Sequence, residues 1–86
     1  EGINFFEKKE FKKAKFKFQQ DIVRNPKSVN SYLYLSKIFE KENNLELEEM
    51  NLNTVLLLNP KNEEAIYNLT LVNLKKSDSI SKSAPT

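Results

Sequence analysis

The chain has 86 residues, 38% apolar and 30% charged, with a net charge of +2, which suits one small folded domain and not a disordered chain. It contains no cysteine and no histidine, so thiol nucleophiles, a Ser-His-Asp triad, zinc ligation and disulfide staples are all excluded. The small charge does not imply nucleic acid, and with Arg24 as the one arginine the chain is poor in the residue best suited to bidentate reading of guanine or phosphate.

The first strong pattern is KKEFKKAKFKF, residues 8–18. Lysines interleaved with phenylalanines can mark a strip on which bases stack. Helical spacing argues otherwise: Phe11, Ala14, Phe18 and Ile22 fall on one stripe, as in a helix that buries that face. Lys12, Lys13 and Lys17 lie largely off it, where their stems can cover apolar surface. Phe16 is the exception, about 140° from Phe11 at 100° per residue, and Val23 follows it one heptad later.

Arg24-Asn25-Pro26-Lys27 ends this helix, because a residue before proline is pushed out of helical geometry. Tyr32, Leu35, Ser36 and Phe39 then share a face from Val29 to about Glu42, and Asn43-Asn44 reads as a turn. Leu45, Leu52, Val55 and Leu56 form the apolar face of a further helix from Leu45 to Leu58, with Met50 and Leu57 on its other side. Leu58-Asn59-Pro60-Lys61 repeats the earlier motif, its proline 34 positions after Pro26. A fixed spacing in this range is the mark of stacked helical units. A third unit opens with Ile66, Leu69, Thr70 and Asn73. The polar, aperiodic end SDSISKSAPT reads as a disordered tail over 77–86.

On these residues the chain resembles the tetratricopeptide repeat family. Tyr32, Leu35, Ser36 and Phe39 stand in the family's first-helix places, and Glu48, Leu52, Val55 and Pro60 in its second-helix places. The preceding unit keeps Gly2, Phe5, Ala14, Phe18 and Pro26. Glu48 and Asp21 depart from the pattern, standing where the family has alanines for close helix contact. The resemblance implies an all-α, right-handed α-α superhelix of about five antiparallel helices over 1–76: a partial unit 1–26, a full unit 27–60 and a capping helix or partial unit 61–76. It fits a piece of a longer repeat protein, and Thr70 and Asn73 suit a solvent-facing end.

The resemblance also implies a non-catalytic scaffold that takes a partner peptide or helix in a concave groove. The positions facing that groove are Ile3 and Phe6, then Asn30, Leu33, Tyr34 and Lys37, then Tyr67, Asn68, Leu71 and Leu74. Some of these can instead pack between adjacent helices. One subtype of the family grips acidic chaperone tails with a carboxylate clamp. Ile3, Tyr34, Glu64 and Asn68 stand where clamp residues would be, which disfavours that partner.

Two other readings stand beside the groove. Phe16, Val23, Met50 and Leu57 would make an exposed apolar ridge for self-association, unless the helices rotate to bury them. The lysines of residues 8–17 could contact RNA, with an affinity that falls steeply with salt. Catalysis has no support. EKENNLELEE lacks the alternating ligands and central glycine of a calcium loop, and Gly2, the single glycine, excludes a phosphate-cradling loop. No cofactor or metal is expected. No apolar run approaches the roughly 20 residues needed to cross a bilayer, and a soluble, cytoplasmic setting is the default expectation.

Overall fold

The computed structural model describes residues 2–3 and 10–83, with side chains placed through Ser77. Among these residues the fold is all-α. The helices are α1 (Phe11–Arg24), α2 (Val29–Lys41), α3 (Leu45–Leu58) and α4 (Glu63–Ser83). The backbone is also helical at Gly2 and Ile3, and four helices stand among the described residues where about five were expected. Phe5 and Phe6 lie outside the described residues.

The helices stop where the sequence says they must. Asn25 and Asn59, each before a proline, take nearly the same extended backbone (φ −139°, ψ 86° and φ −144°, ψ 90°). Each gives its N–H to the carbonyl four residues back, at 2.7 Å. Each side-chain oxygen then accepts from the N–H two residues on, Lys27 at 3.3 Å and Lys61 at 3.2 Å, the local bond that lets asparagine shape a turn. Between α2 and α3, Asn43 sits in the left-handed region at φ 58°, which its short polar side chain tolerates. Ser28, Asn44 and Asn62 cap the following helices, accepting from the N–H of Ser31, Leu47 and Ala65.

The local chemistry repeats in register. Helix α3 starts 34 positions after α1, and α4 starts 34 after α2. Each helix packs chiefly on its neighbours in chain order. The result is elongated, 48 × 28 × 18 Å, with a radius of gyration of 13.9 Å against about 12 Å for a compact globule of this length.

Two apolar cores meet at α2. The first joins α1 and α2 through Ala14, Phe18, Leu35, Ile38 and Phe39. The second joins α2, α3 and α4 through Leu33, Leu52, Val55, Ala65 and Val72. Fully burying a side chain such as Ile38 or Leu52 contributes about 1.5–3 kcal/mol each. Ser36, buried beside them, donates to the Leu33 carbonyl at 2.6 Å, so a hydroxyl sits in the core with its partner supplied locally.

At its far end helix α4 continues to Ser83, so residues 77–83 of the stretch read as a disordered tail carry helical backbone. The physical reason is the absence of a breaker. Serine, aspartate and lysine are tolerated in a helix, and the first proline is Pro85. Residues 84–86 lie outside the description.

Glu48 is the one departure from core chemistry. It stands where a small residue was expected, and it is 3% exposed. Its Oε1 has no hydrogen-bond partner among the described residues. Burial, with the Glu40 carboxylate nearby, pushes its carboxyl above the usual range, against a smaller opposing pull from Lys75. A raised acid binds its proton more tightly folded than unfolded. Stability is therefore greatest with Glu48 protonated, and it is lost as pH rises from the ordinary carboxyl value through the raised one. Glu48→Gln is expected to stabilise the protein at pH 7 by about 1 kcal/mol, on the order of 5 °C in Tm. It should also flatten this part of the pH profile. Thermal unfolding at pH 4.5 and pH 7.5 checks both effects, and a variant whose loss with pH matches the parent would assign that loss to other groups.

Gly2 marks a second tight point. A Cβ there would come within 2.9 Å of Phe18 Cε1, and that ring is stacked on Tyr34 at 5.1 Å. Gly2→Ala gains about 1 kcal/mol of helix propensity but must displace a core ring, at roughly 1–3 kcal/mol. The expected outcome is a net fall in Tm, measured by circular dichroism. A rise would mean that the ring yields without cost.

Candidate interaction surfaces

The side of α2 that faces away from its cores can be read from its wheel. Asn30, Lys37 and Lys41 lie about 160–200° from Phe39 at 100° per residue. Helix α4 lies beside this face, because Lys37 Nζ reaches Glu64 Oε2 at 2.8 Å. On α4, Glu64, Tyr67, Asn68, Leu71 and Leu74 share the matching side, while Ala65, Leu69 and Val72 turn toward α3.

The structure sorts the expected groove residues. Tyr67 is 64% exposed and Leu74 61%. Leu71 and Asn68 are half-buried, and Asn30 is exposed. Tyr67, Leu71 and Leu74, spaced i, i+4, i+7, form one apolar stripe whose two ends are exposed. Leu33 is corrected: it is 7% exposed and belongs to the second core. It lies on the flank of α2 where α3 and α4 converge, so it packs between helices instead of facing a ligand.

Tyr34 has a mixed role. One ring face stacks on Phe18, with planes 6° apart, and Lys37 Nζ sits 5.0 Å from the ring centroid. These contacts fix its orientation and leave it half-buried. Ile3 is exposed, and Phe6 lies outside the described residues.

The opposite surface belongs to α1 and α3. Phe16, Val23, Met50 and Leu57 are 62%, 83%, 60% and 84% exposed, so the helices are not rotated to bury them. Phe11 and Ile22 pack against the first core beside buried Ala14 and Phe18, as the helical spacing requires. Lys15 lies between Glu42, at 2.9 Å, and the Phe39 ring, 5.4 Å from its centroid. Lys13 pairs with Glu10 at 3.3 Å. Two lysines of the strip thus already face carboxylates, which the sequence pattern could not reveal because Glu42 is 27 positions from Lys15.

Among the described residues no group of three or more aspartates and glutamates is arranged to hold a metal ion. No helix among the described residues is long and apolar enough to cross a membrane. The chain matches no protein-family model and no curated protein.

The two kinds of residue separate by stability. Leu33→Ala is expected to cost about 2–5 kcal/mol, as for a buried leucine. Tyr67→Ala should stay within about 0.5 kcal/mol of the parent, as for an exposed position. Chemical denaturation of both variants tests the assignment, and a large loss for Tyr67→Ala would place that ring in the fold instead of on a surface.

Proposed function

We propose that the protein is a non-catalytic interaction scaffold of the tetratricopeptide-repeat kind, a right-handed helical array that holds a partner helix or peptide against α2 and α4. The observation that carries this reading is the apolar stripe Tyr67, Leu71 and Leu74, set beside the Lys37–Glu64 bridge. An aromatic and two leucines on consecutive turns offer anchors for a helix that presents its own apolar residues at i, i+3/i+4 and i+7. Asn30, Lys37 and Asn68 rim the stripe with groups that orient a bound backbone or set encounter rate.

The repeat assignment draws support from the 34-position offset between α1 and α3 and between α2 and α4, and from the matched Asn-Pro-Lys turns. The identity of the partner is constrained by what the groove lacks. Lys37 is already neutralised by Glu64, so an acidic carboxy-terminal tail finds no cluster of unpaired cations there. An apolar or amphipathic helix fits better. The RNA reading is weaker, because Lys13 and Lys15 have carboxylate partners.

Helical peptides selected by display against the protein provide the test. Binding is expected to weaken about ten-fold or more in the Tyr67→Ala, Leu74→Ala double variant, with the fold intact by circular dichroism. It should also be insensitive to Phe16→Glu. Peptides that keep full affinity for the double variant would remove the groove as the binding site.

A further inference from the structure

The exposed ridges on α1 and α3 are the same ridge, repeated with its charge inverted. At an offset of 34 positions, Phe16 corresponds to Met50 and Val23 to Leu57, all four exposed. The same offset matches Gln19 with Asn53 and Gln20 with Thr54. One turn before each large apolar residue the correspondence pairs Lys12 with Glu46. Both are exposed, and neither pairs with another charge among the described residues.

Both ridges face outward on one side of the molecule. Phe16 lies about 160–200° from Ala14 and Phe18, the residues that α1 turns toward α2, at 100° per residue. Met50 is about 140–200° from Val55 and Leu52, which α3 turns toward the second core. Leu47 of α3 packs against the core that α1 and α2 share, which brings α3 to the edge of that core. Short connections of four residues (25–28) and three residues (42–44) turn the chain back each time, so α1 and α3 run in the same direction.

The geometry points to a second copy of this chain as the occupant of this face, docked about a two-fold axis parallel to α1 and α3. Such an axis exchanges left and right, so α1 of one copy faces α3 of the other, and it preserves level along the helices. Lys12 then meets the partner's Glu46, Phe16 meets the partner's Met50, and Val23 meets the partner's Leu57, each contact being made twice. A two-fold axis across the helices would instead place α1 against α1 and α3 against α3, and the Lys12–Glu46 match would be lost.

The surface around Phe16 is compatible with the fit. Beside Phe16, at the level where the partner's Met50 arrives, Gln20 and the stems of Lys12, Lys13 and Lys17 form a shallow, open apolar patch along α1. Methionine is flexible enough to settle on such an irregular surface. Each ridge runs along a 14-residue helix, about 21 Å long. Two ridges per copy give an interface on the order of 1,000 Å² in total, near the lower limit for a specific complex. The dimer is therefore weak and concentration-dependent. It does not depend on the groove against α2 and α4, which lies on the other side.

Sedimentation equilibrium of the 86-residue chain, from micromolar to several hundred micromolar, provides the test. The expected result is a monomer–dimer equilibrium, little changed by salt except for the paired charges. Phe16→Glu should abolish it with helicity unchanged. Lys12→Glu and Glu46→Lys should each weaken it about three- to ten-fold, and the double swap Lys12→Glu, Glu46→Lys should restore it. A parent protein that stays monomeric throughout overturns the proposal. So does a double swap that is no tighter than either single variant, since that would remove the pairing of α1 with α3.

Discussion

The fold depends on one helix being apolar on two flanks. Helix α2 places Leu35, Ile38 and Phe39 in the core shared with α1, and Leu33 in the core shared with α3 and α4. Neither core is large enough to stand alone in a chain of this size, where the gain from burial barely exceeds the entropy of ordering. Because they share α2, loss of packing on one flank loosens the support of the other. The small residues Ser31 and Ser36 are buried along this helix, and their hydroxyls bond to Ser28 Oγ and the Leu33 carbonyl. The polar atoms in the shared wall therefore ask nothing of its neighbours.

Around that wall, lysine and glutamate act as ties between elements more than as a charged coat. Lys15–Glu42 joins α1 to the turn after α2, Lys37–Glu64 joins α2 to α4, and Lys76–Glu49 joins α4 to α3. Each pair is partly exposed, so each contributes at most about 1 kcal/mol. Their greater effect is on specificity, since a helix shifted by one turn would set like charges together or leave them unpaired. Glu48 breaks this pattern. Its carboxyl lies inside the cluster of Glu40 and Lys75 without a bond to Oε1, and stability is given up there for a group that the packing does not need.

Much of this architecture is written in local sequence. Asn-Pro pairs and Asn43-Asn44 set the ends of α1, α2 and α3 to within a residue, because proline geometry and left-handed asparagine act over one or two positions. Helical spacing separates the buried Ala14 and Phe18 from the exposed Phe16 in the same way. What the sequence conceals is non-local. Leu33 sits at a groove-facing angle on an isolated wheel, and only the approach of α3 and α4 turns that flank into core. Lys15 looks like part of a basic strip until the fold brings Glu42 and Phe39 to it. The continuation of α4 to Ser83 is concealed for a local reason: the periodicity there is weak, and no proline stands between Glu63 and Ser83.

The alternation of helices explains why one small chain can carry two independent surfaces. Each helix packs chiefly on its neighbours in chain order, so each buries one side and turns the other outward. A closed bundle would cover the remaining faces with further helices. Here such faces stay open, with Tyr67 and Leu74 exposed on α4 and Phe16, Val23, Met50 and Leu57 exposed on α1 and α3. If the second side pairs with another copy, the two grooves point outward in opposite directions. A partner that carries two copies of the same helix, joined by a span long enough to reach around the dimer, would then be held by avidity instead of by a single strong site. In such an arrangement each contact needs only enough affinity to raise the local concentration of the other.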